Sequence, residues 1–143
     1  MIARSAIRLS TRETIVSIID DELDITRLFH DALSNRIDHA SVVTFNDPVL
    51  ALKHYTKNKK SYALVIADMR MPTVNGLELL KKVKKLNPRV RTILISAYEF
   101  QNNPVFEKCL KEGIIDSYIE KPVKINTLRQ KVRDEFSMYK SKH

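Results

Sequence analysis

A chain of 143 residues with 43% hydrophobic and 29% charged content has the size and make-up of one globular domain that buries its own core. Two glycines and five prolines leave little room for low-complexity segments, and no apolar run approaches the ~18 residues of a membrane span. The lone Cys109 excludes an internal disulfide and points to a reducing, cytoplasmic setting.

Residues 1–12 carry Arg4, Arg8 and Arg12 with no acid. They lack the roughly 7–15-residue apolar core of a secretory signal, so this stretch reads as a short N-terminal extension. From there, apolar β-branched runs alternate with helical patterns five times. Residues 15–19 form the first run, and Ile25, Leu28, Phe29, Ala32 and Leu33 then repeat as one helical stripe. Residues 41–45 read as a second strand, followed by Asp47-Pro48 as a helix start with Val49, Leu52 and Tyr55. Residues 63–67 form a third strand, and Gly76 precedes a helix that turns Leu79, Leu80, Val83 and Leu86 inward and ends at Asn87-Pro88. After residues 92–95, Asn103-Pro104 starts a fourth helix with Val105, Phe106, Cys109 and Leu110, and Gly113 is placed to stop it. Residues 118–119 close the strands, and Ile125, Leu128, Val132 and Phe136 mark the last helix. Several strands are apolar almost throughout, as parallel strands covered on both faces are. The alternation therefore predicts an α/β fold with a parallel sheet, and leaves no space for a separate output domain within these residues.

The net charge of +8 gathers in two places. Residues 81–91 hold six basic residues and no acid, and residues 123–143 hold six against two acids. Neither stretch interleaves aromatics as a single-strand groove does, so both read as solvated helix faces, and nucleic-acid binding is not expected.

In an open α/β sheet, ligands bind beyond the carboxyl ends of the strands. Here the first strand runs into Asp20-Asp21-Glu22, the third into Asp68, the fourth into Ser96, and the fifth leads to Lys121. Carboxylates gathered in this way either raise their pKa values or bind a cation. Oxygen-only donors suit magnesium or calcium, and no His–Cys spacing suggests zinc. A lysine and a hydroxyl across the same pocket could hold phosphoryl oxygens, with a carboxylate between them placed as the nucleophile. Taken alone, Asp20 and Asp21 also read as helix-capping anions, Ser96 as a turn residue, Lys121 as a surface charge and Tyr118, on the fifth strand, as sheet packing. Asp68 buried at a strand end without a partner would be costly, so for it function is the favoured reading even in isolation. The four histidines lie at no strand end and are assigned no role.

The pieces Ile18-Ile19-Asp20-Asp21-Glu22, Asp68-Met69-Arg70-Met71-Pro72 with Asn75-Gly76, Ser96-Ala97 and Lys121-Pro122 resemble, in order and spacing, the motif set of two-component response regulator receiver domains. That resemblance implies a flavodoxin-like, doubly wound (βα)5 fold with strand order 2-1-3-4-5. It also implies Asp68 as phosphoacceptor and Mg²⁺, or Mn²⁺ in its place, held by Asp20, Asp21, Asp68 and the backbone carbonyl of Arg70. Ser96 and Lys121 would contact the phosphoryl group, Pro122 would follow a cis peptide bond, and Tyr118 would be the switch aromatic. The implied extents are an extension at 1–12, a receiver domain at 13–139 and a short basic tail at 140–143. The implied partners are a sensor histidine kinase or phosphotransfer protein and a downstream protein. A second copy of the chain could also pair on the face of the fourth helix, fifth strand and fifth helix. A haloacid-dehalogenase-like phosphatase also uses a nucleophilic Asp, but resembles DxDx, and Arg70 stands where its second acid belongs. A basic nucleic-acid-binding module on the same fold is the remaining alternative, and predicts no need for Asp68.

Overall fold

The computed structural model describes residues 14–97 and 102–141. Five strands alternate with five helices along the chain: β1 (Thr14–Ile19), α1 (Leu23–Leu33), β2 (Ala40–Phe45), α2 (Pro48–Asn58), β3 (Tyr62–Asp68), α3 (Gly76–Leu86), β4 (Arg91–Ser96), α4 (Pro104–Lys111), β5 (Ser117–Glu120) and α5 (Ile125–Ser141). All strand pairs are parallel, in the order β2-β1-β3-β4-β5. The order matches the expectation. So does the near-continuous apolarity of the central strand, whose seven residues are all buried.

Alternation along each strand divides the core in two. Val16, Ile18, Leu64 and Ile66 pack with Phe29 and Leu33 of α1 and Leu128, Val132 and Phe136 of α5. Ile19, Val65 and Ala67 face the other way, against Ala51 and Tyr55 of α2, Leu79, Leu80 and Val83 of α3, and Phe106 and Cys109 of α4. Cys109 is a buried packing thiol, and burial pushes its pKa up.

Two helix starts follow the capping residues read from the sequence, Asp47 and Asn103, and a third is capped by Asn75, with Gly76 as the first helical residue. Asp47 Oδ1 accepts from the backbone N–H of Val49 at 2.9 Å. Asn75 Oδ1 accepts from that of Glu78 at 2.8 Å, and Asn103 Oδ1 from those of Val105 and Phe106. Gly113, at φ +78°, ends α4 in the left-handed region. The last helix continues through Ser141, so the expected boundary after Tyr139 falls inside it; the extension at 1–12 lies outside the described residues.

A charge network ties the β4–β5 side of the sheet together at its N-terminal edge. Lys84 of α3 reaches Asp116 at 2.7 Å, and Arg91 pairs with Asp116 at 3.5 Å and with Glu135 of α5 at 2.8 Å. Asp116 also accepts from the backbone N–H of Thr92 at 2.9 Å, and Ser117 donates to Glu135. Two cations and two carboxylates thus join helices on opposite faces of the sheet.

Candidate functional site

The opposite edge, where the strands end, is charged and unbalanced. Carboxylate oxygens of Asp20, Asp21 and Asp68 all lie within 4.8 Å of one another. Asp20 and Asp68 are each only 4% exposed, whereas Asp21 is open to solvent. Lys121 Nζ lies 2.7 Å from Asp68 Oδ1, an ion pair without the alignment of a good hydrogen bond. Three carboxylates therefore gather around the Lys121 ammonium.

The charge states follow from that count. Burial, together with the fields of Asp68 and Asp21, raises the Asp20 carboxyl to about 6, against the backbone N–H of Glu22 and the Lys121 charge, which both lower it. Burial alone would lower the Lys121 ammonium, but Asp68 and the nearby Asp20 and Glu22 outweigh it and hold the amine above its ordinary value. Lys121 is thus a fixed cation, while Asp20 takes up a proton more readily than an ordinary carboxyl, which a bound cation would oppose.

Backbone bonding sets these side chains in place. Asp20 Oδ1 accepts from the N–H of Glu22 at 2.9 Å. The N–H of Asp20 reaches Phe45 O at 3.1 Å, and that of Met69, just past Asp68, reaches Ile95 O at 2.7 Å. The loop after β3 folds back so that the N–H of Gly76 donates to Met69 O at 2.9 Å. A Cβ at position 76 would lie 2.3 Å from Asp68 O, so this close approach admits only glycine. The N–H of Lys121 donates to Ser96 O at 2.9 Å, and the Lys121-Pro122 bond is cis.

The strand-end residues predicted from the sequence fall as follows. Asp20, Asp21, Asp68 and Lys121 meet in one cluster. Ser96 closes β4 on the adjacent strand and is buried. Arg70 is exposed and shares a cleft of about 440 Å³ with Asp21, Met69 and Asn75. Tyr118 pairs with Leu94 in register and is 36% exposed, at the outer surface of β5. His54 donates to or accepts from Tyr62 OH at 2.6 Å, away from this edge.

One positioning residue escaped the sequence reading. Asn46 donates from Nδ2 to Asp20 O at 2.8 Å and to Thr26 Oγ1 at 3.0 Å, clamping the acidic turn onto α1. It immediately follows β2, so extending the strand-end rule to the second strand finds it.

A family model, the response regulator receiver domain, matches residues 16–133. The chain belongs to that family. It is 30% identical over 117 residues to a chemotaxis protein CheY homolog of Campylobacter jejuni, covering 82% of this chain and 88% of that protein. A receiver domain structure from Clostridium thermocellum superposes with a TM-score of 0.78 at 28% identity, covering 91% of this chain and 99% of that one. A CheY-like receiver domain from Methanospirillum hungatei gives 0.75 at 25% identity, covering 92% and 99%. Other relatives are much longer: the chain spans 26% of a protein-glutamate methylesterase/protein-glutamine glutaminase of Azospirillum brasilense and 26% of the transcriptional regulatory protein ZraR of Klebsiella oxytoca. The receiver is accordingly a phosphoacceptor signalling domain of two-component systems. No helix among the described residues is long and apolar enough to cross a membrane.

Proposed function

We propose that Asp68 is the phosphoacceptor of this receiver and that phosphorylation there switches the surface formed by α4, β5 and α5. The observation that carries the reading is the buried Asp68 carboxylate held 2.7 Å from the Lys121 ammonium and grouped with two further acids. One oxygen of Asp68 attacks the phosphorus of a phosphohistidine donor, the P–N bond breaks, and the imidazole leaves with the electron pair. Lys121, fixed as a cation, takes up charge on the phosphoryl oxygens. The donor set of Asp20, Asp21 and Asp68 fits Mg²⁺, which takes few carboxylates and keeps waters; when bound, Mg²⁺ neutralises the phosphoryl group and the surrounding acids. The carbonyl of Arg70, two residues beyond Asp68, is a further oxygen available to the ion.

A groove of about 510 Å³ opens beside this cluster, lined by Asp20, Glu22, Ile25, Leu28, Lys121 and Val123. Leu28 is half exposed on its rim, which supports an apolar contact with the sensor kinase or phosphotransfer protein that delivers the phosphoryl group. Ser96, buried at the end of β4, is the hydroxyl that follows the new phosphate. Tyr118, exposed two strands from Asp68, is the aromatic whose repacking carries the change outward to a downstream partner.

Intact mass after incubation with acetyl phosphate tests the chemistry. A magnesium-dependent gain of one phosphoryl group is expected in the wild type and none in Asp68→Asn. A gain retained in Asp68→Asn would assign the acceptor elsewhere.

A further inference from the structure

The edge of the sheet opposite Asp68 carries a cleft that the phosphoryl chemistry does not use. It has a volume of about 410 Å³ and is lined by Lys59 and Lys60 ahead of β3, Leu86, Asn87 and Arg89 around the α3–β4 turn, and Tyr139 near the end of α5. Among the described residues, three cations line it and no carboxylate does. Lys59 and Lys60 take part in none of the ion pairs among the described residues, whereas the deeper Lys84 and Arg91 are matched by Asp116 and Glu135.

The walls are fixed in advance. Asn87 Nδ2 donates to Lys59 O at 3.0 Å, and Asn87 Oδ1 accepts from the N–H of Arg89 at 3.1 Å, tying the two basic turns together. The N–H of Ser61 reaches Asn58 O at 2.8 Å. Between the cations sit an exposed Leu86 and the half-buried ring of Tyr139. Preorganised walls cut the entropy cost of binding.

We propose that this cleft docks an acidic, extended segment of a partner protein, its carboxylates on Lys59, Lys60 and Arg89 and an apolar side chain between Leu86 and Tyr139. A concave site favours this occupant over a lipid surface, because a plane of headgroups meets the rim and not the walls. Asp20, Asp21, Glu22 and Asp68 occupy the other edge, so an acidic partner is repelled from the phosphorylation site and drawn to the cleft. Binding and phosphorylation are therefore compatible, and the partner remains attached while the acceptor turns over.

Fluorescence anisotropy of a fluorescein-labelled peptide alternating glutamate with leucine, titrated with the full chain, reads the interaction. The pair Lys59→Glu and Arg89→Glu is expected to weaken binding by at least about tenfold. The pair Lys53→Glu and Lys108→Glu makes the same change in net charge on α2 and α4, away from the cleft, and is expected to weaken it by less than about twofold. Asp68→Asn should bind as the wild type does. Retained phosphoryl uptake from acetyl phosphate shows that the reversed chain is folded; if it is lost, the milder pair Lys59→Gln and Arg89→Gln takes its place. No binding, or equal weakening by both pairs, overturns the proposal. So does tighter cleft-dependent binding of a single-stranded oligonucleotide or of phosphatidylserine vesicles than of the peptide.

Discussion

The sheet has a buried charge cluster at each edge, and the two are built on opposite terms. At the N-terminal edge, Lys84, Arg91, Asp116 and Glu135 balance, and Thr92 and Ser117 supply further hydrogen bonds. At the C-terminal edge, Asp20, Asp21 and Asp68 crowd together beside Lys121, which pairs with Asp68. A balanced, hydrogen-bonded cluster has no use for a ligand, and its effect is to fasten α3 and α5 to β4. The unbalanced one leaves Asp20 with a carboxyl near 6, an electrostatic cost that a divalent cation relieves. Buried charge is thus structural where it cancels and functional where it does not.

Removing the cation paired with Asp68 tests that contrast most severely. Lys121→Ala should slow phosphoryl uptake from acetyl phosphate by about 10²–10³-fold, the cost of losing one preorganised charge-stabilising group. A rate within a few-fold of the wild type would mean that Lys121 only balances charge in the resting state.

Breaking the balanced cluster should do the reverse. Glu135→Ala leaves the part-buried Arg91 with only Asp116 at 3.5 Å, and is expected to lower the unfolding free energy by about 3 kcal/mol in urea titration. Phosphoryl uptake by the folded fraction should be unchanged. An unaltered urea midpoint would show that the network contributes nothing to stability.

The smallest expected effect is a pH dependence. Because the folded Asp20 carboxyl sits near 6 and its ordinary value is 3.8, the metal-free folded state binds a proton that the unfolded chain releases between those values. Asp20 therefore adds stability as pH falls through 6, and that gain is complete below about 4. Magnesium competes with the same proton, so its affinity should drop toward about tenfold per pH unit below 6. Calorimetric titration checks the slope, which should flatten in Asp20→Asn. A slope identical in both proteins would place the titrating group elsewhere.

Much of the fold was legible because its signals are local. Apolar runs, the Asp47-Pro48 and Asn103-Pro104 starts and the Gly113 stop each act within a few residues, so the spacing located every element. The strand ends were legible too, since β1, β3 and β4 each stop at a polar residue after an apolar run. What stayed hidden were contacts between segments distant in the chain. Asn46 bonds to Asp20 and Thr26 across 26 and 20 positions. Lys84 finds Asp116 across 32 positions and Arg91 finds Glu135 across 44, so the basic stretch at residues 81–91 read as a plain solvated face although two of its members are paired inside.

The order of hydrophobic runs and breakers in this chain therefore determines five βα units and the residues at the ends of the strands, because backbone preference and burial pattern are written within a turn or two of sequence. Which charges cancel was decided only by tertiary packing. Coulomb energy depends on distance and on exclusion of water, and both are set when the helices close over the two faces of the sheet. The same packing brought Gly76 against Asp68, and joined Lys59, Arg89 and Tyr139, remote in sequence, around one cleft.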